Sequence, residues 1–207
     1  MATRAIFGLG NPGPRYAATR HNAGFLVVER LVARHGLRWA RNAAGARIAE
    51  GWVAGSTVLV AQPLEFMNRS GEVVAALVPG ESDPATHVLV VHDELDLPFG
   101  RLKLKLGGGT AGHRGLRSIA EELGDRPFCR LRVGIGRPPA GIDPADFVLS
   151  DFGAAERERL PTLLDEAADG CEAWLALGLQ AAMNRVNARP PAEPADAGPP
   201  EPSREPS

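Results

Sequence analysis

The chain has 207 residues, of which 44% are hydrophobic, and its 23 Lys and Arg residues nearly balance its 25 Asp and Glu residues, for a formal net charge of -2. This composition predicts an ordinary globular protein with one large domain, or with one domain and a tail. No run of about 18 apolar residues and no basic segment followed by a signal core occurs, which disfavours a membrane span and export. Cys129 and Cys171 lie far apart, which disfavours a disulfide framework or a zinc site and favours the reducing cytoplasm.

The first predicted element is a short apolar strand over residues 5–9. It leads into residues 8–13, which have the G-x-G-x-x-G spacing of dinucleotide-binding proteins. That fingerprint requires a helix to open within the glycines, and Pro12 and Pro14 disfavour a helix there. A nicotinamide- or flavin-binding oxidoreductase is therefore the weaker alternative.

A helix is predicted to begin near His21 and to end at about Gly36, with Asn11 at the tip of the strand before it. An imidazole has a pKa close to physiological pH, so it becomes a usable general base when a carboxylate orients it and a water molecule lies against it. The alternative is that His21 only closes the start of the helix.

Residues 47–54 and 57–63 are predicted to form a hairpin that turns at Gly55 and Ser56. A second helix opens within residues 66–71. Asn68 beside this opening is either a helix N-cap or an amide that contacts a ligand, and Phe66 is either a core residue or part of the same site.

Residues 88–91 are a continuous apolar run, which predicts a strand covered on both faces. In an open α/β sheet, functional groups gather outside the carboxyl ends of such strands, and His92, Asp93, Glu94 and Asp96 follow this one. A metal site is the alternative. Adjacent strand residues point to opposite faces and no further ligand pattern completes a set, so we expect neither a metal nor another cofactor. Asp93 alone would suffice to orient a histidine.

Arg101, Lys103 and Lys105 alternate with leucines and are predicted to share one face of a strand. A glycine-rich loop over residues 107–112 follows, and a strand over residues 130–136 carries arginines on one face. Between residues 101 and 137, nine basic residues stand against three acidic ones, a local net charge of +6. This concentration favours a phosphate backbone as the partner over a face that is merely solvated.

The last predicted helix runs from about residue 154 to 187, with Pro161 in its first turn and Gly178 as a bend or break. From residue 189 onward, seven of nineteen residues are proline and no aliphatic residue is larger than alanine. Residues 1–188 are therefore predicted to form the folded domain and residues 189–207 a disordered tail.

Six blocks of the sequence, in order and spacing, together resemble the bacterial peptidyl-tRNA hydrolase family. They are residues 8–13 (GLGNPG), 16–24 (YAATRHNAG), 66–71 (FMNRSG), 92–98 (HDELDLP), 107–109 (GGG) with His113, and 130–136 (RLRVGIG). The resemblance implies a single α/β domain in which a mixed, mostly parallel sheet lies between layers of helices. It also implies a metal-free, cytoplasmic monomer that hydrolyses the ester between a peptide and the terminal ribose of tRNA.

The resemblance extends to individual residues. It implies that His21 is the general base and that Asp93 holds the tautomer of His21. Asn11 and Asn68 are implied to grip the peptide and to stabilise the oxyanion. The residues implied to contact the tRNA are Tyr16, Phe66, Asn68, Lys105, His113 and Arg132, with Lys105 and Arg132 on its 5′ phosphate.

One position departs from the family pattern. Many members have Gly-His-Asn-Gly where this chain has Gly-His-Arg-Gly at residues 112–115. The Arg114 side chain offers donors but no acceptor, so we expect a changed contact, for example to a phosphate, rather than lost activity. The alternative function is a non-catalytic RNA-binding homologue, like a splicing protein related to this family. The presence of both His21 and Asp93 argues against that alternative.

Overall fold

The fold is built on one sheet, which a computed structural model describes together with its helices over residues 3–41, 44–78 and 82–189. The strands are β1 (Arg4–Gly8), β2 (Ala40–Arg41), β3 (Ala46–Val53), β4 (Ser56–Pro63), β5 (Val88–Glu94), β6 (Leu102–Leu106) and β7 (Cys129–Gly134). The helices are α1 (Ala23–Arg34), α2 (Ser70–Leu77), α3 (Pro84–His87), α4 (Arg114–Glu122), α5 (Pro144–Val148), α6 (Ala154–Leu177) and α7 (Leu179–Asn187).

The strands lie in the order β2-β3-β4-β1-β5-β7-β6. The four central strands β4, β1, β5 and β7 run parallel, whereas β2, β3 and β6 are antiparallel to their neighbours. The helices α1, α6 and α7 pack on one face of the sheet, and α2 and α4 pack on the other. The predicted three-layer α/β/α architecture with a mixed, mostly parallel sheet is therefore confirmed. Every residue of β5 is buried, as its apolar run predicted.

The segment between β1 and α1 contains two short 3-10 turns, Pro14–Tyr16 and Arg20–Asn22, and no α-helix. His21 lies in the second turn, immediately before α1. The helix therefore opens well after the last glycine of the G-x-G-x-x-G spacing, as the prolines predicted. A dinucleotide-binding turn needs that helix inside the motif, so the geometry does not favour such a site here.

Several predicted boundaries differ from the structure. The hairpin turns at Ala54 and Gly55, one residue earlier than predicted, and both have positive φ, 48° and 81°, as a tight hairpin turn requires. Pro161 was predicted in the first turn of the last helix but lies in the interior of α6. The predicted break at Gly178 is confirmed, since this residue with φ 74° separates α6 from α7.

Three short elements were not predicted: β2, α3 and α5. At the far end, Arg189 pairs with Asp169 at 3.3 Å, which fixes the chain against α6 up to that residue. The rest of the predicted tail lies outside the described residues.

The edge strand β6 is bordered by the end of α7. The Asn187 side chain accepts a hydrogen bond from the Leu104 nitrogen at 2.8 Å and donates one to the Leu104 carbonyl oxygen at 3.0 Å. The Arg101 guanidinium donates to the Asn187 carbonyl oxygen at 2.6 Å. Arg101 lies just before β6 and is engaged with α7, so of the three cations predicted on one strand face only Lys103 and Lys105 belong to the strand itself. A separate observation concerns membranes: among the described helices, none has the length and apolar character needed to cross one.

Candidate active site

The candidate site is a cleft of about 720 Å³ outside the carboxyl end of β5, where it receives side chains from five segments of the chain. Its walls are formed by Asn11, His21, Phe66–Asn68, Asp93–Asp96, Thr110–Arg114, Asp143–Ala145, Val148 and Leu149. Most of the predicted site residues meet here, although they come from distant parts of the sequence. The location follows the rule for open α/β sheets.

Asp93 holds the centre of this site. His21 Nδ1 lies 2.9 and 3.0 Å from the two Asp93 carboxylate oxygens, and His113 Nε2 lies 3.1 Å from Asp93 Oδ1. The backbone nitrogen of Leu116 donates to His113 Nδ1 at 3.3 Å, so His113 in its neutral form carries its proton on Nε2 and donates it to Asp93. The same reasoning places the His21 proton on Nδ1 and leaves the lone pair on Nε2.

The pKa values of this group follow from these contacts. Burial alone would raise the pKa of Asp93, but attraction to His21 and His113 and the hydrogen bonds from them hold it well below its usual range. Burial would lower the pKa of His21, yet attraction to Asp93 and the hydrogen bond to it outweigh burial and raise the pKa above its ordinary value of 6.5. The positive charge of Arg114 opposes this rise. The site therefore combines a stable carboxylate with a basic imidazole.

His21 is held in place by the residues on each side of it. The Arg20 guanidinium donates to the Ser150 hydroxyl and to the Asp151 carbonyl oxygen, both at 2.6 Å, and pairs with Glu156 at 2.6 Å. Arg20 therefore ties the turn before α1 to the segment before α6. This anchor was not predicted from the sequence.

Gly24 allows the first turn of α1 to approach the sheet closely. A Cβ atom at this position would lie 2.3 Å from the Val91 carbonyl oxygen and 2.4 Å from the Leu9 nitrogen. Only glycine fits between these backbone atoms. The contact fixes α1, and with it His21, at the ends of β1 and β5.

Asn11 is placed by a pair of backbone contacts. Its nitrogen donates to Asn22 Oδ1 at 2.8 Å, and its carbonyl oxygen accepts from Asn22 Nδ2 at 3.0 Å. Asn11 Oδ1 then accepts from the Met67 nitrogen at 3.0 Å. The Asn11 Nδ2 group has no hydrogen-bond partner among the described residues, and Asn11 lines the cleft. Asn22 was not among the predicted site residues, although it follows His21 directly.

The alternatives for residues 66–68 are resolved by their surroundings. Arg69, not Asn68, is the N-cap of α2, and no side chain caps that helix. Asn68 is exposed and lines the cleft, and Phe66, 61% exposed, lines it as well. Met67 is buried in the core. Phe66 and Asn68 therefore present polar and aromatic surface to a ligand.

Three predicted site residues, Tyr16, Lys105 and Arg132, are not among those that line the cleft. Tyr16 is half-buried in the first 3-10 turn. Arg132 is joined to the cleft wall by Glu94, whose carboxylate accepts from Arg132 Nε at 2.8 Å. These three residues can therefore contact a ligand only outside the cleft.

A basic face lies beside the cleft on β6 and β7. The strand register sets Lys105 opposite Arg130 and Lys103 opposite Arg132, so the four cations share one face of the sheet. Arg130 is buried and donates to the carbonyl oxygens of Gly108 and Gly109, at 2.7 and 2.8 Å, which holds the glycine-rich loop. Burial and the repulsion of the other three cations lower the pKa of Lys105.

His92 was predicted only as a neighbour of Asp93, but it also contacts the Asp93 backbone and the His113 ring. Its Nδ1 donates to the Asp93 carbonyl oxygen at 2.7 Å, and its ring meets the His113 ring edge-on with 5.1 Å between centroids. The Nε2 atom is buried without a partner among the described residues. Burial, together with repulsion from His113, lowers the pKa of His92 to about 3, so it stays neutral.

The helix α5 forms one wall of the cleft and had no predicted counterpart. Asp143 caps it by accepting from the Ala145 nitrogen at 2.7 Å, and Val148 and Leu149 face the cleft. The residue types do indicate a helix start here, because Asp143 followed by Pro144 is typical of a helix N-terminus. A five-residue helix is too short for its periodicity to be recognised.

Within the described chain, one group of side chains has a metal-binding composition: His21, Asp93 and His113. Their ligand atoms lie within 4.8 Å of one another. His21 Nδ1 and His113 Nε2 already hydrogen-bond to Asp93, so a metal bound through these two nitrogen atoms would have to replace the hydrogen bonds that fix both imidazoles. The absence of a metal from the mechanism remains a prediction.

Comparison with known proteins extends over most of the chain. The family model described as peptidyl-tRNA hydrolase matches residues 5–194. The peptidyl-tRNA hydrolase of Frankia casuarinae is 53% identical over 183 residues, which are 88% of this chain and 93% of that protein. That of Mycobacterium avium is 50% identical over 184 residues, 88% of this chain and 96% of that protein. The crystal structure of peptidyl-tRNA hydrolase from Acinetobacter baumannii has a TM-score of 0.83 at 37% identity, covering 92% of this chain and 97% of that one.

Proposed function

The chain belongs to the peptidyl-tRNA hydrolase family, and from this premise we propose that it hydrolyses peptidyl-tRNA in the cleft that contains His21 and Asp93. The reaction is that of a carboxylic ester hydrolase, in which water cleaves the ester between a peptide and the terminal ribose of tRNA and so returns the tRNA for reuse. The observation that carries the assignment of the site is the 2.9 Å contact between His21 Nδ1 and Asp93, because it leaves His21 Nε2 free as a base at the cleft.

The attacking water is activated by His21. Nε2 removes a proton from a water molecule as the water oxygen adds to the ester carbonyl carbon, and Asp93 stabilises the imidazolium that forms. The tetrahedral intermediate then expels the ribose oxygen, which takes the proton back from His21. The products are a peptide with a free carboxylate and a deacylated tRNA.

The developing oxyanion is stabilised by Asn68, and the peptide is held by Asn11. Asn68 is exposed on the cleft wall, and an amide donor in such a position contributes roughly 3 kcal/mol to a transition state. The free Asn11 Nδ2 group donates to a carbonyl oxygen of the peptide. A peptide bond fits against this neutral donor, whereas a free, charged amino group does not.

The tRNA extends from the cleft across the basic face, with its 5′ phosphate at Lys105 and Arg132. Burial and three neighbouring cations lower the pKa of Lys105, and this concentration of positive charge favours an anion. Phe66 and Tyr16 contact the acceptor end. His113 borders the same substrate while it holds Asp93.

The proposal also includes the finer properties that the family resemblance implies. The enzyme acts as a monomer in the cytoplasm, and residues 1–188 form its catalytic domain. Size-exclusion chromatography with light scattering tests the monomer. A chain that ends at residue 188 tests the domain, because it should retain full activity.

The deciding experiment compares N-acetylaminoacyl-tRNA with the same aminoacyl-tRNA bearing a free amino group. The protein should release tRNA from the first and leave the second largely intact. A non-catalytic RNA-binding homologue would bind both tRNAs and hydrolyse neither ester, and that outcome would contradict the proposal. An oxidoreductase would instead show a thermal shift with NAD.

A further inference from the structure

Arg114 stands apart from the other charged residues of the cleft. The acidic residues of the cleft wall are each engaged: Asp93 with two histidines, Glu94 with Arg132, Asp96 with Arg137 and Asp143 with the Ala145 nitrogen. Arg114 is the one Lys or Arg among the described residues that line the cleft, and it is exposed. It makes no hydrogen bond or ion pair with any part of the chain that the structure describes. A cation without a protein partner is thus available to the substrate.

The position of Arg114 brings this charge close to the reacting groups. It is the first residue of α4 and directly follows His113, which bonds to Asp93 at 3.1 Å. Its positive charge opposes the rise in the pKa of His21 that Asp93 causes. The lysine and arginines of the basic face do not line the cleft, so they serve a different part of the substrate.

We propose that Arg114 binds the phosphodiester that joins the terminal adenosine of tRNA to the nucleotide before it. This inference rests on the proposed function, because it takes the terminal ribose to lie at His21. The phosphodiester is the anion of the tRNA closest to the ester, one ribose away. A guanidinium has only donors, arranged as a planar fork that matches two phosphate oxygens. The site would thus recognise two phosphates separately, the terminal phosphodiester at Arg114 and the 5′ phosphate at Lys105 and Arg132.

The test uses two small esters besides N-acetylaminoacyl-tRNA. One is the N-acetylaminoacyl ester of the dinucleotide CpA, which contains the phosphodiester, and the other is the same ester of adenosine, which lacks it. Arg114→Gln should raise KM for the CpA ester on the order of 10-fold, with kcat little changed, because a charge-assisted contact is lost. All rates are measured at a pH well above the pKa of His21, where removal of the Arg114 charge does not change the fraction of neutral base. Under that condition the adenosine ester should be hydrolysed equally well by both proteins. The wild type should prefer the CpA ester by a similar factor.

Two further variants complete the design. Arg117→Gln removes the same charge from the same helix, but Arg117 does not line the cleft, so its kinetics should match the wild type. Arg114→Lys keeps the charge without the planar fork and should lie between wild type and Arg114→Gln. Circular dichroism and thermal unfolding establish that all variants are folded.

The outcomes distinguish the possibilities. An equal fall in kcat for both esters would mean that Arg114 contacts the oxyanion, and unchanged kinetics for both would mean that it contacts nothing. Either result overturns the proposal. It is also overturned if the wild type hydrolyses N-acetylaminoacyl-tRNA but hydrolyses the two small esters equally well, or hydrolyses neither of them. Failure of the proposed function is a separate result, because the wild type would then leave N-acetylaminoacyl-tRNA itself intact.

Discussion

Both carboxylate oxygens of Asp93 lie within hydrogen-bond distance of His21 Nδ1, at 2.9 and 3.0 Å, although the two residues are 72 positions apart in the sequence. His113 donates to Oδ1 of the same carboxylate from 20 positions further on. One buried acid therefore orients two imidazoles, of which His21 has a free nitrogen for the reaction.

Replacement of the base should reduce turnover strongly while tRNA binding remains. His21→Ala should reduce kcat by ~10³-fold or more, because general-base catalysis is lost and the basic face is untouched. The measurements are hydrolysis of N-acetylaminoacyl-tRNA and binding of deacylated tRNA. His87→Ala is a matched control, because His87 is a histidine of α3 outside the cleft wall. Turnover that survives in His21→Ala would show that another group is the base.

The pH dependence of the reaction should report the pKa of His21. Since His21 must be neutral to act, kcat/KM should fall as the pH drops through a pKa above 6.5. Asp93→Asn should lower the pKa of His21, because burial then acts without the opposing carboxylate, and activity should fall by about 10⁴-fold as the tautomer is no longer fixed. NMR titration of the His21 ring measures the pKa directly. A His21 pKa that is unchanged in Asp93→Asn would contradict the assigned role of Asp93.

Binding of tRNA should depend on charge at Lys105. Lys105→Glu should raise KM on the order of 10-fold at low salt, leave kcat nearly unchanged and make KM less sensitive to salt, because one phosphate contact is lost. Arg38→Glu is the control with the same charge reversal. Arg38 is exposed and precedes β2, at the edge of the sheet opposite to β6. Equal effects of the two reversals would point to net charge and not to a phosphate site at Lys105.

His92 should make the fold sensitive to acid. Its pKa is about 3 in the folded protein and near 6.5 when unfolded, so the unfolded chain binds a proton first and stability is lost as the pH falls from about 6.5 towards 3. When the pH falls from about 7 to about 5, this residue alone should lower the free energy of unfolding by about 2 kcal/mol.

The variant His92→Asn isolates this contribution. An asparagine amide still donates to the Asp93 carbonyl oxygen but cannot take up a proton. The variant should be less stable near pH 7, because it packs less well, yet lose less stability on acidification. Urea unfolding of both proteins at the two pH values measures the difference. The same loss in both would mean that other groups cause the acid sensitivity.

Removal of divalent ions should leave the activity intact. The nitrogen atoms of His21 and His113 that face Asp93 already hydrogen-bond to it, and the proposed base is an imidazole. The enzyme dialysed against EDTA should therefore hydrolyse N-acetylaminoacyl-tRNA at the rate of the untreated enzyme. Activity that is lost in EDTA and restored by a divalent ion would instead indicate that the three side chains bind a metal.

Much of the fold could be predicted because local patterns agree with the final structure. The apolar run of β5 predicted a buried strand, and two prolines after β1 predicted a loop where a helix would be needed for dinucleotide binding. The meeting of His21 with Asp93 could be expected from the rule on strand ends and from the family resemblance. It could not be obtained from spacing alone, because it depends on how α1 crosses β5.

The features that were missed depend on contacts between distant residues. Arg20 is bound by residues about 130 positions away, and nothing near Arg20 in the sequence indicates these partners. The second histidine at Asp93 likewise follows from the orientation of α4 and not from residue type. Arg101 was assigned to the basic face from strand alternation, but it lies just before β6, where alternation no longer sets the direction of a side chain.

The contact of Asn187 with both backbone groups of Leu104 has a consequence for how the protein behaves among copies of itself. A strand at the border of a sheet invites a strand from another molecule, and such pairing leads to aggregation. Here one amide side chain already occupies the two groups that an incoming strand would need in the middle of β6. The border next to the basic face is thus protected against self-association, while Lys103 on that face stays exposed.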